Sequence, residues 1–256
     1  MRNMIRVLYV GDSEVVHSIA IKGFDSFTSS VFVDDSHILV NALQTDKDII
    51  VSHMQTHEAF NRFPTSEKEL AKYNVVILSD VGSNTLLLNS GFFAPFKVPL
   101  GPNRLGAIRD YVQKGGALIM CGGYLSFSGL NATAKYHGTP VEEVLPVDVL
   151  EIDDRVEIPE GFKFNVTKPN HPIMRGIPWE EGKFLLLGYN RLKLKNGATL
   201  LANHQNDPII AVWEYEKGRS MIFASDCALH WVGNFHEWKH YSHFWTQAIK
   251  WLTTSE

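Results

Sequence analysis

Val75-Val76-Ile77-Leu78 runs straight into Ser79-Asp80-Val81-Gly82-Ser83-Asn84, and Ala117-Leu118-Ile119-Met120 runs into Cys121-Gly122-Gly123. Each is a short apolar run closed by turn-forming residues, which reads as a fully buried strand. Between them, Pro102-Asn103-Arg104 opens an amphipathic helix in which Leu105, Ile108, Tyr111 and Val112 share one face, and Gly115-Gly116 stops it. Strand, helix, strand with continuous rather than alternating apolar strands predicts a parallel sheet covered by helices on both faces.

The same pattern extends outward. Val7-Leu8-Tyr9-Val10 predicts a first strand turning at Gly11-Asp12-Ser13. Ser36 caps a helix over His37–Leu43, and Ile49-Ile50-Val51 is a second strand with Ser52, His53 and His57 just beyond it. Thr65-Ser66-Glu67 begins a polar helix reaching about Lys72. The second half changes character. Val147–Ile158 is strand-like and acidic, and Pro159-Glu160-Gly161 turns. Phe184–Leu187, Ala198–Leu201, Ile209–Trp213 and Ser220–Ala224 read as strands, the last two joined by a hairpin at Glu216–Arg219. These predict antiparallel additions to the sheet. The last helix is expected over Trp238–Leu252, with Trp238, Trp245, Ile249 and Leu252 on the buried stripe and His240, His243 and Gln247 opposite. No Pro/Gly/Ser linker separates the halves, so residues 1–256 read as one domain.

Composition excludes several classes. The 256 residues are 45% hydrophobic and 20% charged, which is globular and not disordered. A net charge of −4 argues against a general nucleic-acid binder, which needs a basic surface. Two cysteines, Cys121 and Cys227, neither staple a fold of this size nor form a CxxC zinc pair, and point to reducing cytoplasm. The terminus from Met1 to Val10 is too short in its apolar part for a signal peptide, and no stretch approaches the roughly 18 apolar residues of a membrane span.

Ligands of open α/β sheets bind outside the carboxyl ends of the strands. There the sequence gathers Asp12, His53, Asp80, Asn84, Tyr124, Ser126 and Asp226, with His230 joining from the following loop. Such residues suit a pocket for a hydroxyl-rich or amide ligand, although each alone also reads as a cap, a turn or a satisfied buried group. If the chain is an enzyme, Asp80, Tyr124, Asp226 and His230 are the candidate catalytic groups, Asp226 orienting His230 as a general base. Asp12, His53, Asn84, Gly122, Gly123 and Ser126 are candidate ligand contacts. The Gly122-Gly123 amides either hold developing negative charge or simply make a tight turn. No GxGxxG or Walker A pattern occurs, so no nucleotide cofactor is expected. His230, His236, His240 and His243 lack an HExxH motif. They read as a solvated stripe or a contact between copies of the chain rather than a metal site.

Several segments together resemble a known family: Gly11-Asp12-Ser13, Ser79–Leu88, Gly122-Gly123-Tyr124-Leu125-Ser126-Phe127-Ser128-Gly129, Asn170–Ile177 and Ser225-Asp226-Cys227-Ala228-Leu229-His230-Trp231. Their order and spacing are similar to the bacterial "putative glutamine amidotransferase" domain family of the class I glutamine amidotransferase-like superfamily, near the trehalose-utilisation ThuA-like proteins. The resemblance covers nearly the whole chain and implies a flavodoxin-like three-layer α/β sandwich; fold alone does not fix activity. The superfamily's elbow reads Gly-x-Cys-x-Gly, with a His-x-Glu later. Here Met120-Cys121-Gly122-Gly123-Tyr124 places the thiol one or two residues early, and Asp226 and His230 stand at a different spacing. The expectation is a protein that binds or processes a small polar metabolite, with a carbohydrate derivative implied by the ThuA-like neighbourhood, and without glutaminase activity. Two alternatives stay open: a non-catalytic ligand-binding or scaffold domain, and a thiol hydrolase or amidotransferase with Cys121 as nucleophile.

Overall fold

The computed structural model describes residues 4–88 and 101–254. Met1–Asn3, on which the reading of the amino terminus partly rests, lie outside the described residues. In chain order the elements are β1 (Ile5–Gly11), β2 (Ser13–Lys22), β3 (Asp25–Asp34), α1 (His37–Gln44), β4 (Ile49–Met54), α2 (Thr56–Arg62), α3 (Glu67–Leu70), β5 (Val75–Ser79), α4 (Ser83–Leu87), α5 (Arg104–Gln113), β6 (Ala117–Cys121), α6 (Pro140–Val144), β7 (Val147–Val149), β8 (Arg155–Phe162), β9 (Asn165–Val166), β10 (Leu186–Asn190), β11 (Leu192–Leu194), β12 (Thr199–His204), β13 (Asp207–Tyr215), β14 (Gly218–Phe223) and α7 (Tyr241–Thr253).

The central sheet has eight strands in the order β4-β1-β5-β6-β14-β13-β12-β9. The first five run parallel, and β13, β12 and β9 continue the sheet by antiparallel pairing. Every residue of β5 and β6 is buried, which is why their sequences are unbroken apolar runs. Helices α1 and α7 pack together on one face, and α3, α4, α5 and α6 form the layer opposite. This is the flavodoxin-like sandwich that the sequence implies. Because β1 lies between β4 and β5, the chain departs from it in both directions, and a crevice opens at its carboxyl end.

Four local expectations change. The chain after Gly11 does not simply turn: β2 and β3 form a long hairpin, paired from Ser13↔Asp34 to Lys22↔Asp25 and joined to no other strand among the described residues. Its apolar residues are split between both faces, so no one-sided pattern marks it. Strand β8 continues through Pro159-Glu160-Gly161, where Gly161 at φ +81° and a register shift opposite β10 make a bulge instead of a turn. Ser36 makes no side-chain cap to α1, because its hydroxyl donates to Asp34. Helix α7 begins at Tyr241, so Trp238 lies ahead of it, half-buried against Trp179 and Phe184.

The buried stripe of α7 is Tyr241, Trp245, Ala248, Ile249 and Leu252, while His243 is exposed and Gln247 hydrogen-bonds the carbonyl of Ile173. Trp245 is fully buried against Phe223 and Phe244. Truncating a large buried aromatic costs about 3–5 kcal/mol. Trp245→Ala should lower the unfolding free energy by that scale, whereas His243→Ala should leave it within about 0.5 kcal/mol of the parent. Equal effects of the two changes in chemical denaturation would show that the buried face of α7 is wrongly assigned.

Candidate functional site

Three strands deliver carboxyl side chains to one place. Asp12 follows β1, Asp80 follows β5 and Asp226 lies three residues past β14. A cavity of about 960 Å³ opens above them. Asp12, Asp80 and Asp226 line its floor. Its walls carry Tyr124, Leu125 and His230 on one side and Val15, Val16 and Phe32 of the hairpin on the other.

The turns at the strand ends are built for this. Gly11 has φ +118°, and a Cβ there would lie 1.7 Å from the carbonyl oxygen of Ser79, so only glycine fits. Asp12 and Asp80 both sit in the left-handed region, at φ 48° and 46°, a conformation that aspartate tolerates better than most residues. Asp12 thereby points back into the sheet's end. Its carboxylate accepts from the hydroxyls of Tyr9 and Ser79, and the Cys227 thiol lies 3.7 Å away. Asp80 is fixed from the neighbouring loop: its Oδ1 accepts from the Leu125 N–H at 2.6 Å, and its own N–H donates to Ser126 Oγ at 3.1 Å.

Burial dominates the electrostatics. It pushes the Asp12 carboxyl from an ordinary 3.8 up to about 7, against the hydrogen bonds from Tyr9, Ser79 and Cys227 and with the help of the Asp80 charge. Burial also raises Asp226 well above the carboxylate range, with Asp12 as the next cause, and raises Asp80. Ligating atoms of Asp12, Asp226 and Cys227 all lie within 4.8 Å of one another. Two carboxylate charges at that separation repel by about 3.5 kcal/mol at an effective dielectric of about 20, before any cost of desolvation. The pair therefore holds a proton at neutral pH. Among the described residues, the same trio is the group whose geometry could ligate a cation, and a cation would compete with the proton for the same oxygens.

The other candidates divide. Tyr124 lines the cavity, its hydroxyl donating to Glu157 Oε1 at 3.0 Å and the Arg155 guanidinium 4.9 Å over its ring. His230 also lines it, held edge-on to Tyr124 and stacked on Trp231, and burial lowers its pKa. Asp226 does not orient it: their nearest atoms are 3.9 Å apart, and Asp226 Oδ1 instead accepts from the Ala228 N–H. The Gly122 and Gly123 amides are already engaged. Gly122 N–H donates to the carbonyls of Phe223 and Ser225, and Gly123 N–H donates to Asn190 Oδ1, so neither is free for an oxyanion. Ser126 acts on Asp80 from a buried position. His53 is a β4 residue below the cavity, bonded to the carbonyl of Gly11 and the hydroxyl of Ser36, and Thr56 and His57 line the cavity from that segment. Asn84 is exposed on α4, where Thr85 is the lining residue.

Cys121 is the last residue of β6, fully buried in regular pairing. Burial raises its pKa, and the Asp12 and Asp226 charges add to the rise, the reverse of what activates a thiol. Residues that the sequence reading passed over do much of the positioning. Tyr9 and Ser79 hold Asp12, and Asn190 ties Gly123 to Asp154. Ser79, closing an apolar strand opposite Gly11, offered a signal; Asn190 offered none.

A carboxyl group protonated in the folded state and ionised in the unfolded one binds more protons when folded. Stability then falls as pH rises from the unfolded value to the folded one. For Asp12 that window runs from about 4 to about 7. Asp12→Asn keeps the left-handed turn and removes the charge. In urea denaturation it should reduce the loss of stability between pH 5 and pH 8 and be more stable than the parent at pH 8. A slope identical to the parent's would contradict the burial argument.

The comparisons with known proteins bear on the fold and the family. The family model described as "Putative glutamine amidotransferase" matches residues 6–254. The cytoplasmic protein STM3548 of Salmonella typhimurium is 38% identical, with 96% of this chain and 98% of that one covered and a TM-score of 0.89. The cytoplasmic protein STM1381 of Salmonella typhimurium LT2 is 40% identical, with 98% and 100% covered and a TM-score of 0.90. A ThuA-like protein of Parabacteroides merdae shares the fold at 12% identity, with 98% and 90% covered and a TM-score of 0.53. The search of curated proteins finds no match. By a match over nearly its whole length, the chain belongs to the family described as "Putative glutamine amidotransferase".

Proposed function

We propose that the cavity takes a small, uncharged, hydroxyl-bearing metabolite, with carbohydrate derivatives as the leading class, and that Asp12 and Asp226 exchange a proton with it. The observation that carries this reading is the floor of Asp12, Asp80 and Asp226, whose pKa values are all pushed upward by burial. A carboxyl that keeps its proton donates to a ligand hydroxyl, and its ionised neighbour accepts from one, so the pair can serve as acid and base. Glu14 and Asp35 also line the cavity, so anionic ligands such as sugar acids are repelled. Tyr124 and Phe32 add aromatic side chains to the lining, which suits the apolar side of a sugar-like ring. His230, kept neutral by its surroundings, adds a donor and an acceptor at the rim.

Glutamine hydrolysis is not part of the proposal, because the Cys121 thiol is buried and the Gly122 and Gly123 amides are bonded within the protein. We read residues 1–256 as one domain acting in the cytoplasm, where two free thiols persist and where the two Salmonella relatives are named as residing.

Calorimetric titration with neutral sugars and polyols, sugar acids and glutamine tests this, with and without a chelator. Neutral polyols should bind, sugar acids should not, and binding should weaken as pH rises through about 7, where Asp12 ionises. Asp226→Asn should weaken it at least about tenfold, the scale of one hydrogen bond to a charged group. Selective binding of anions, or glutamate release from glutamine that Cys121→Ser abolishes, would overturn the reading. Loss of binding on chelation would assign Asp12, Asp226 and Cys227 to a cation instead.

A further inference from the structure

We infer that the β2–β3 hairpin is an arm that packs against a second copy of this chain and closes the hairpin side of the cavity. The inference is independent of which ligand the cavity takes. Eight of the fifteen exposed large hydrophobic side chains among the described residues fall within residues 13–34. They include Val15, Ile19, Ile21, Phe24, Phe27 and Val31, and Ile21 is 75% exposed. Scattered exposed apolar residues need no explanation, but a concentration of this kind marks a contact surface.

The arm's own construction points the same way. Among the described residues its strands pair only with each other, and a lone two-stranded hairpin is marginal in water. Register puts Val15, Ile19, Ile21 and Phe32 on one face and Val16, Ala20, Phe27 and Val31 on the other, so both faces are apolar. The turn at Gly23-Phe24 needs positive φ only at Gly23. Nothing in that geometry requires an aromatic at Phe24, which is nonetheless completely exposed at the tip.

A second copy fits this surface better than any other occupant. The exposed fractions of these eight residues correspond to roughly 1,000 Å² of residue surface, most of it apolar, against about 800 Å² per partner in a stable interface. A surface this apolar invites aggregation unless covered from synthesis onward, and only the chain itself is always present in equal amount. In a two-fold assembly the two-sided arm meets the partner's arm on one face and its body on the other. The arm is also continuous with the cavity, because Val15, Val16, Phe32 and Val33 at its base line the wall.

Light scattering coupled to size-exclusion chromatography reads the mass directly. The parent protein at micromolar concentration should run at two chains or an even multiple. Ile19→Lys combined with Ile21→Lys and Phe24→Ser should reduce it to one chain with an unchanged far-ultraviolet spectrum, since these side chains stand clear of the core. Hydrogen exchange on the unmodified protein covers the case in which that variant misfolds. The amides of residues 13–34 should be protected at high concentration and lose at least about tenfold of that protection on dilution. A single-chain mass for the parent, an unchanged mass in the folded variant, or fast exchange of the arm at every concentration would each overturn the inference.

Discussion

The buried pair Asp12 and Asp226 is the constraint around which the rest of the site is arranged. Two acidic groups with their oxygens within 4.8 Å, in a setting that excludes most water, cannot both carry charge cheaply. The surroundings hold the pair in place. Tyr9 and Ser79 donate to Asp12, Gly11 allows the chain to double back beside Ser79, and the Ala228 N–H holds Asp226. Tyr241 of α7 donates to the carbonyl of Cys227 at 2.6 Å, so the helix that closes the core also fixes the loop carrying Asp226. A free-energy cost at the site is thus borne by the packing of the whole sandwich.

The chain belongs to the family described as "Putative glutamine amidotransferase", and both of its thiols are buried. Cys121 is the last residue of β6, and the backbone amides after it donate to Asn190 and to the carbonyls at the exit of β14. Asn190 also donates to Asp154, which in turn accepts from the Ser128 and Gly129 amides and so anchors the loop carrying Tyr124 and Ser126. The titratable groups at the floor of the crevice are the carboxyls of Asp12, Asp80 and Asp226, and function is read from such a site and not from the fold.

Much of this was legible in the sequence, for definable reasons. Parallel strands buried on both faces leave continuous apolar runs, so β1, β5 and β6 and the acidic residues after β1 and β5 could be placed directly. The hairpin was not legible, because its apolar residues alternate onto two exposed faces instead of one buried face. Trp238 kept the helical period of α7 while lying outside it, a coincidence of spacing that periodicity cannot detect. The closeness of Asp12 to Asp226 was hidden because β5 and β6 lie between their strands, and Asp226 is carried by the loop beyond β14 and not by the strand itself. The engagement of the Gly122 and Gly123 amides depended on Asn190, which lies 67 residues further along the chain.

The account stands or falls on the protonation of that pair. Carbon-13 NMR of the aspartate side-chain carboxyls, titrated from pH 3 to pH 9 and assigned with Asp12→Asn and Asp226→Asn, reads it directly. The account predicts that the pair retains a proton at pH 6, with Asp12 changing state near 7. Full ionisation of both carboxyls by pH 5 would contradict it.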